Sequence, residues 1–207
     1  MLRKRRLARS SSSARRLLAR AFLLVAACFS LLAGAPGCRE RYVVRHAASP
    51  NPLASVRAFA VEPLGFEARV EGRPEADWLA KVPDETRRSW PAGKTAMIAA
   101  FGRGLSEGAK AGGLAITDVP GPAGAPRIRA VVRHVEPGHF DGPTSADTMV
   151  EVDVEIVSAE GVVIDAITSR ASVPATALNL ELVDRVRDAA KDVGDNVARY
   201  LRERTGT

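Results

Sequence analysis

Residues 127–135 read RIRAVVRHV and residues 148–158 read TMVEVDVEIVS, and these two stretches decide the fold. Both alternate with the two-residue period of a strand whose faces differ. In the first, Ile128, Ala130 and Val132 point one way and Arg127, Arg129 and Arg133 the other. In the second, Val150, Val152, Val154 and Ile156 oppose Glu151, Asp153 and Glu155. One strand thus has a basic polar face and the next an acidic one. Paired antiparallel, they set opposite charges across the ladder, worth about 0.2–1 kcal/mol per pair. Strands apolar on one side only belong to a sheet with one wet face, not to a parallel sheet covered on both. Glu160-Gly161 then turns the chain into 162–173, a third adjacent strand.

Outward from this meander, residues 180–204 carry Leu182, Val183, Val186, Ala190, Val193, Val197, Tyr200 and Leu201 at helical spacing. Acids open that segment and arginines close it, matching the helix dipole. Upstream, 114–119 reads as a short strand and 95–111 as a helix with Met97, Ile98, Phe101, Leu105 and Ala109 on one stripe. Gly104, Gly108 and Gly112 share another line of that helix, at a cost of about 1 kcal/mol each that close packing against the sheet would offset. Residues 55–61 alternate as a strand ending at Pro63. Residues 64–93 read as an insertion with short helical turns at 74–82 and 83–90, each opened by proline. Residues 39–55, with Ser49-Pro50-Asn51-Pro52, read as a flexible tether. The expected fold is α+β: two layers, a mainly antiparallel four- to five-stranded sheet, two main helices on one face. The expected organisation is a signal peptide over 1–37, a modified Cys and tether over 38–54, and one domain over 55–204.

The charge is distributed unevenly. Of 30 Lys and Arg, eight fall within residues 1–37, which hold no acid; the other 22 stand against 24 acids, a net of −2. The formal +6 of the whole chain is therefore no sign of a nucleic-acid partner, and none is expected. Residues 21–35, AFLLVAACFSLLAGA, form an uncharged run shorter than the ~20 residues of a membrane span. A basic start, a short apolar core and small residues after it make an export signal. The run continues Leu32-Ala33-Gly34-Ala35-Pro36-Gly37-Cys38. Small residues ending in Cys at this place resemble the lipobox of bacterial lipoproteins. The resemblance implies that Cys38 carries a diacylglyceryl group and that Gly37 is the last residue removed. This chain has Ala35 where that family prefers Leu, and Pro36 is a second departure; the alternatives are ordinary cleavage near Ala35 or a retained short anchor. Cys28 lies in the discarded run, leaving Cys38 as the lone mature Cys, for which lipidation supplies a reason. Arg15-Arg16 resembles a twin-arginine signal, and Arg39 after the Cys, in place of Asp, favours the outer membrane by the same family's sorting rule. The element order, and the piece VEIVSAEGVVIDAITSRAS at 154–172, resemble small envelope-lipoprotein domains such as the curli-secretion lipoprotein and the lipoprotein activator of penicillin-binding proteins.

Reactive constellations are sparse. His46 lies in the tether. His134, Glu136, His139 and Asp141 fall within eight residues, but His134, His139 and Asp141 are weak metal candidates because no zinc spacing is present. The Gly-x-Gly of GRGLSEG at 102–108 lies inside a predicted helix, not after a strand, and reads as packing. Ser106, Ser145 and Ser169 have no motif-level base, and Glu151, Asp153 and Glu155 read as a solvated strand face. Asp165 remains as an isolated acid. Trp78 and Trp90, both in the insertion, are read either as core or as a candidate partner surface. The function expected is a non-enzymatic binding or assembly domain without cofactor. It would be tied to the membrane through lipid on Cys38, facing the periplasm and meeting an envelope protein or cell-wall partner. The alternatives are an envelope hydrolase or metal-dependent enzyme using the loop from His134 to Asp141, and a carrier of a small ligand or glycan.

Overall fold

A computed structural model describes residues 41–141 and 144–207. The three long strands of the meander lie where alternation puts them: β6 (Arg127–Glu136), β7 (Thr148–Val157) and β8 (Val163–Val173). They pair antiparallel, with Arg129 opposite Glu155 and Val131 opposite Asp153. Ile128, Ala130, Val132, Val150, Val152, Val154 and Ile156 all enter one buried core, so alternation sorts the two faces as the sequence requires.

The fold is α+β, but the sheet is larger than four or five strands and it is mixed. It has eight strands in the order β1 (Tyr42–Ala47), β8, β7, β6, β2 (Ala58–Val61), β5 (Ala115–Asp118), with β3 (Gly65–Val70) also on β6 and β4 (Arg73–Pro74) on β3. Two stretches outside the expected sheet account for the difference. Residues 64–93, read as an insertion, supply β3 (Gly65–Val70), β4 (Arg73–Pro74) and helix α1 (Glu75–Leu79). β2 (Ala58–Val61) and β3 both run parallel to β6, β2 against its start and β3 against its second half. They act as one strand interrupted near Pro63, which has no N–H to give to a ladder. β5 (Ala115–Asp118) extends the sheet parallel to β2.

The second stretch is the expected tether. Tyr42–Ala47 is no tether but edge strand β1, antiparallel to β8 with Tyr42 opposite Ser169. Most of its side chains are exposed, so it lacks the apolar alternation that marks a strand in sequence. Backbone pairing and a few anchors hold it instead. The described residues from 41 onward belong to one compact unit, β1 included.

Helix α2 (Asp84–Lys110) also exceeds expectation, starting 11 residues before Thr95 and running through Pro91. Pro91 lacks the N–H an interior helical position uses. Trp90, Gly93, Met97, Phe101, Gly104 and Leu105 nevertheless form one continuous buried stripe, and packing along it outweighs the lost bond. Helix α3 (Leu182–Thr205) lies beside α2 and parallel to it, since Gly93 faces Val183, Gly104 faces Lys191 and Gly112 faces Arg202. The glycine line of α2 therefore packs against a helix, not against the sheet. A Cβ at Gly104 would lie 2.1 Å from the Lys191 carbonyl oxygen, and one at Gly194 2.3 Å from that of Phe101. The two helices cover one face of the sheet and, among the described residues, no helix covers the other.

Candidate functional site

The open face carries the charges that the alternation placed there. Glu62 pairs with Arg127 at 3.6 Å and Arg129 at 3.3 Å, and Arg129 with Glu155 at 3.5 Å. Arg133 bonds Glu67 and reaches Asp153 at 3.2 Å, while Arg45 approaches Asp153 from the edge strand at 3.3 Å. The Thr168 hydroxyl donates to Asp153 at 2.8 Å. Desolvation works against the Arg133 charge, but Glu67 and Asp153 outweigh it and the guanidinium is held above its ordinary pKa. Exposed pairs of this kind contribute about 0–1 kcal/mol each. Their effect is to present a polar surface with both signs interleaved.

Asp165 is not on that face. It is fully buried and accepts from Tyr200 Oη at 2.7 Å, Arg204 Nε at 2.7 Å and Nη2 at 3.1 Å, and Ala48 N at 3.0 Å. Arg204 also donates to the Ala48 carbonyl at 3.0 Å. The cluster fastens the end of β1 to β8 and α3, with every Asp165 oxygen used. Burial, then the bond to Asp165, raises the Tyr200 phenol. Tyr42 packs edge-on against Tyr200, ring centroids 5.3 Å apart, and its hydroxyl bonds Glu203. Burial and that bond push Tyr42 up to about 12.

A second buried ion is Arg185, on the inward side of α3. It donates to Thr148 Oγ1 at 2.8 Å and to the carbonyls of Asn179 at 3.0 Å, Leu180, and Pro137 at 3.3 Å. Desolvation lowers its pKa, opposed by Glu181. It ties the 137–147 loop to the 174–181 loop at one end of the sheet. A charged residue on the apolar stripe, between Leu182 and Val186, was the sequence signal for it.

The weak metal candidates His134, His139 and Asp141 do not converge. His134 Nε2 lies 2.6 Å from Glu136, and exposed His139 lies 3.9 Å from Asp141. These are two separate pairs, and among the described residues no three metal-ligating side chains gather. Trp78 and Trp90 are no partner surface: each is only 2% exposed. Their rings meet at 4.8 Å, tilted by 59°, Phe66 meets Trp90 edge-on at 6.3 Å, and Glu75 accepts from Trp90 Nε1 and Lys94 Nζ at 2.6 Å each. The aromatics fasten α1 and the start of α2 onto β3. Cys38 lies outside the described residues, as do residues 1–37, the expected signal.

One open groove, about 720 Å³, runs between α2 and the β5 edge. Gly102, Arg103 and Ser106 line it from the helix, Ile116, Thr117 and Asp118 from the strand. The GRGLSEG segment is thus divided between two tasks: Gly104 and Gly108 face α3, while Gly102 has open space around it.

No family model and no curated protein matches the chain. Among solved structures, the PelC dodecamer from Paraburkholderia phytofirmans is similar at 16% identity and TM-score 0.39, over 75% of this chain and 96% of that one. A substituted form of the same PelC is similar at 15% identity and TM-score 0.39, with the same coverage. A crystal structure of an uncharacterized protein is similar at 11% identity and TM-score 0.37, over 72% of this chain and 94% of that one. Likenesses at these scores carry nothing further about what the chain does. Among the described residues, no helix is long and apolar enough to cross a membrane.

Proposed function

We propose that this is an exported protein anchored through lipid on Cys38, whose α+β domain binds an envelope protein or cell-wall partner without chemistry of its own. The outer membrane is its site and the periplasm the compartment its domain faces. The observation that carries the reading is the join between signal and domain. The lipobox-like segment ends at Cys38, and four residues later Tyr42 begins β1. An anchor there holds a folded domain beside a bilayer, and acyl chains at about 0.8 kcal/mol per buried CH₂ make a lasting attachment once more than one is present. The helix-free sheet face, polar and free of covering elements, is the surface for the partner.

Cys38→Ser is expected to release the protein from membranes and abolish the acyl mass on its N-terminal peptide. Unchanged membrane fractionation refutes the anchor. A photo-crosslinking residue at Glu151, on the open face, is expected to capture the partner in intact cells. Capture from Ser106 in the groove, and not from Glu151, moves the binding site to the groove.

A further inference from the structure

We infer that the 174–181 loop is a second membrane contact, in which Leu178 and Leu180 enter the bilayer surface beside the lipid on Cys38; this rests on the proposed lipid anchor. Direction comes first. β1 and β8 are antiparallel with Tyr42 opposite Ser169, and Arg170 N donates to the Arg41 carbonyl. Arg41, just ahead of Tyr42, therefore lies on the Val173 side of Ser169, away from the Glu160-Gly161 turn. Beyond Ser169, β8 has four more residues, about 13 Å of strand. Cys38 precedes Tyr42 by four residues, a reach of at most about 14 Å. That reach is long enough for a bilayer holding lipid on Cys38 to lie level with the end of β8, where the loop emerges.

The loop is shaped for that surface. Leu178 is 99% exposed and Leu180 57%, whereas Leu53, Leu105 and Leu201 are fully buried. Residues 174–180, PATALNL, carry no charge. The turn is closed on itself, with Asn179 N donating to the Thr176 carbonyl at 3.0 Å. The carbonyls of Asn179 and Leu180 point inward to the Arg185 guanidinium. Pressing this turn into lipid leaves those two acceptors paired, so the desolvation that usually bars loops from a bilayer is reduced. The occupant is a lipid surface: the anchor brings one to this end, and the exposed side chains are apolar and aliphatic.

Val162, 64% exposed in the turn at the opposite end of β8, provides the comparison. The full chain carrying Leu178→Cys or Val162→Cys is matured in cells and purified in detergent. Each introduced thiol is labelled with an environment-sensitive fluorophore, and the protein is placed in phosphatidylethanolamine/phosphatidylglycerol vesicles. Emission at 178 is expected to shift to shorter wavelength and to be quenched by nitroxide-bearing lipids, while 162 does neither. Acyl mass on Cys38 with a water-like, unquenched label at 178 overturns this inference alone. A shift without nitroxide quenching assigns the leucines to a protein contact and also overturns it. Absence of acyl mass overturns the anchor and the inference with it.

Discussion

Gly104→Ala and Gly102→Ala add the same methyl group to the same helix two positions apart, and they are expected to change stability in opposite directions. A Cβ at 104 meets the Lys191 carbonyl oxygen at 2.1 Å, the Lys191 carbonyl carbon at 3.0 Å and the Asp195 nitrogen at 3.1 Å. All three are backbone atoms, so no side-chain rotation relieves the contact. Restoring a 3.4 Å approach separates α2 from α3 by roughly 1.3 Å. Phe101, Leu105, Val193 and Val197 sit in the core along that seam and lose contacts as it opens. Alanine returns about 1 kcal/mol of helix propensity, against an overpacking cost of about 3 kcal/mol at the upper end of the usual range. The net loss is about 2 kcal/mol, or roughly 4–8 °C in melting temperature for a domain of this size. At 102 nothing lies within 4 Å of the added Cβ. Only the propensity gain remains there, up to about 1 kcal/mol or roughly 2–4 °C upward. Calorimetry and urea unfolding followed by circular dichroism read both. A Gly104→Ala protein as stable as the unsubstituted one refutes the close helix–helix contact.

Asp165→Ala leaves Arg204 and Tyr200 without their acceptor and is expected to cost about 3 kcal/mol, the low end for a broken buried pair, because Arg204 can turn partly to water. A change below about 1 kcal/mol in urea unfolding contradicts the clamp. Arg185→Met strips the donor from the Asn179 and Leu180 carbonyls and leaves Pro137 with the Thr148 hydroxyl alone; a loss of about 2–3 kcal/mol is expected, with faster amide exchange in both loops that it joins. Unchanged exchange there argues against Arg185 as their fastener. Tyr42 titrates higher folded, about 12, than its ordinary 10.0, so the folded state keeps its proton where the unfolded chain loses it. The stability linked to that proton is fully present below pH 10 and is lost as pH rises toward 12. Urea midpoints measured across this window should fall less steeply for Tyr42→Phe, and parallel curves for the two proteins exclude the contribution.

Legibility in the sequence followed how much of each element's signal was local. β6, β7 and α3 are long and strongly periodic, and their ends fall within two residues of the pattern. The charge pairing of Arg129 with Glu155 was likewise readable, because register and face follow from the period of two. β1 was not: YVVRHA has no alternation, and its place depends on a ladder to β8 more than 120 residues away. Trp78 and Trp90 were ambiguous because an aromatic in a loop packs inward or outward with the same local sequence. Arg185 and Asp165 gain their roles from carbonyls and hydroxyls on other elements.

By itself, the sequence determined the α+β class, the meander with one wet face, the long amphipathic helix, and the separation of a basic stretch over residues 1–37 from a mildly acidic remainder. Each of these depends on periodicity or composition within a short window. The tertiary structure decided that the sheet is mixed and eight-stranded, that the glycine line of α2 meets α3, and that the tryptophans are core. It also decided that the chain after Cys38 becomes a strand almost at once. These are matters of which distant segments share space, fixed by packing and by hydrogen bonds that close across the fold, and no local pattern of residues encodes them.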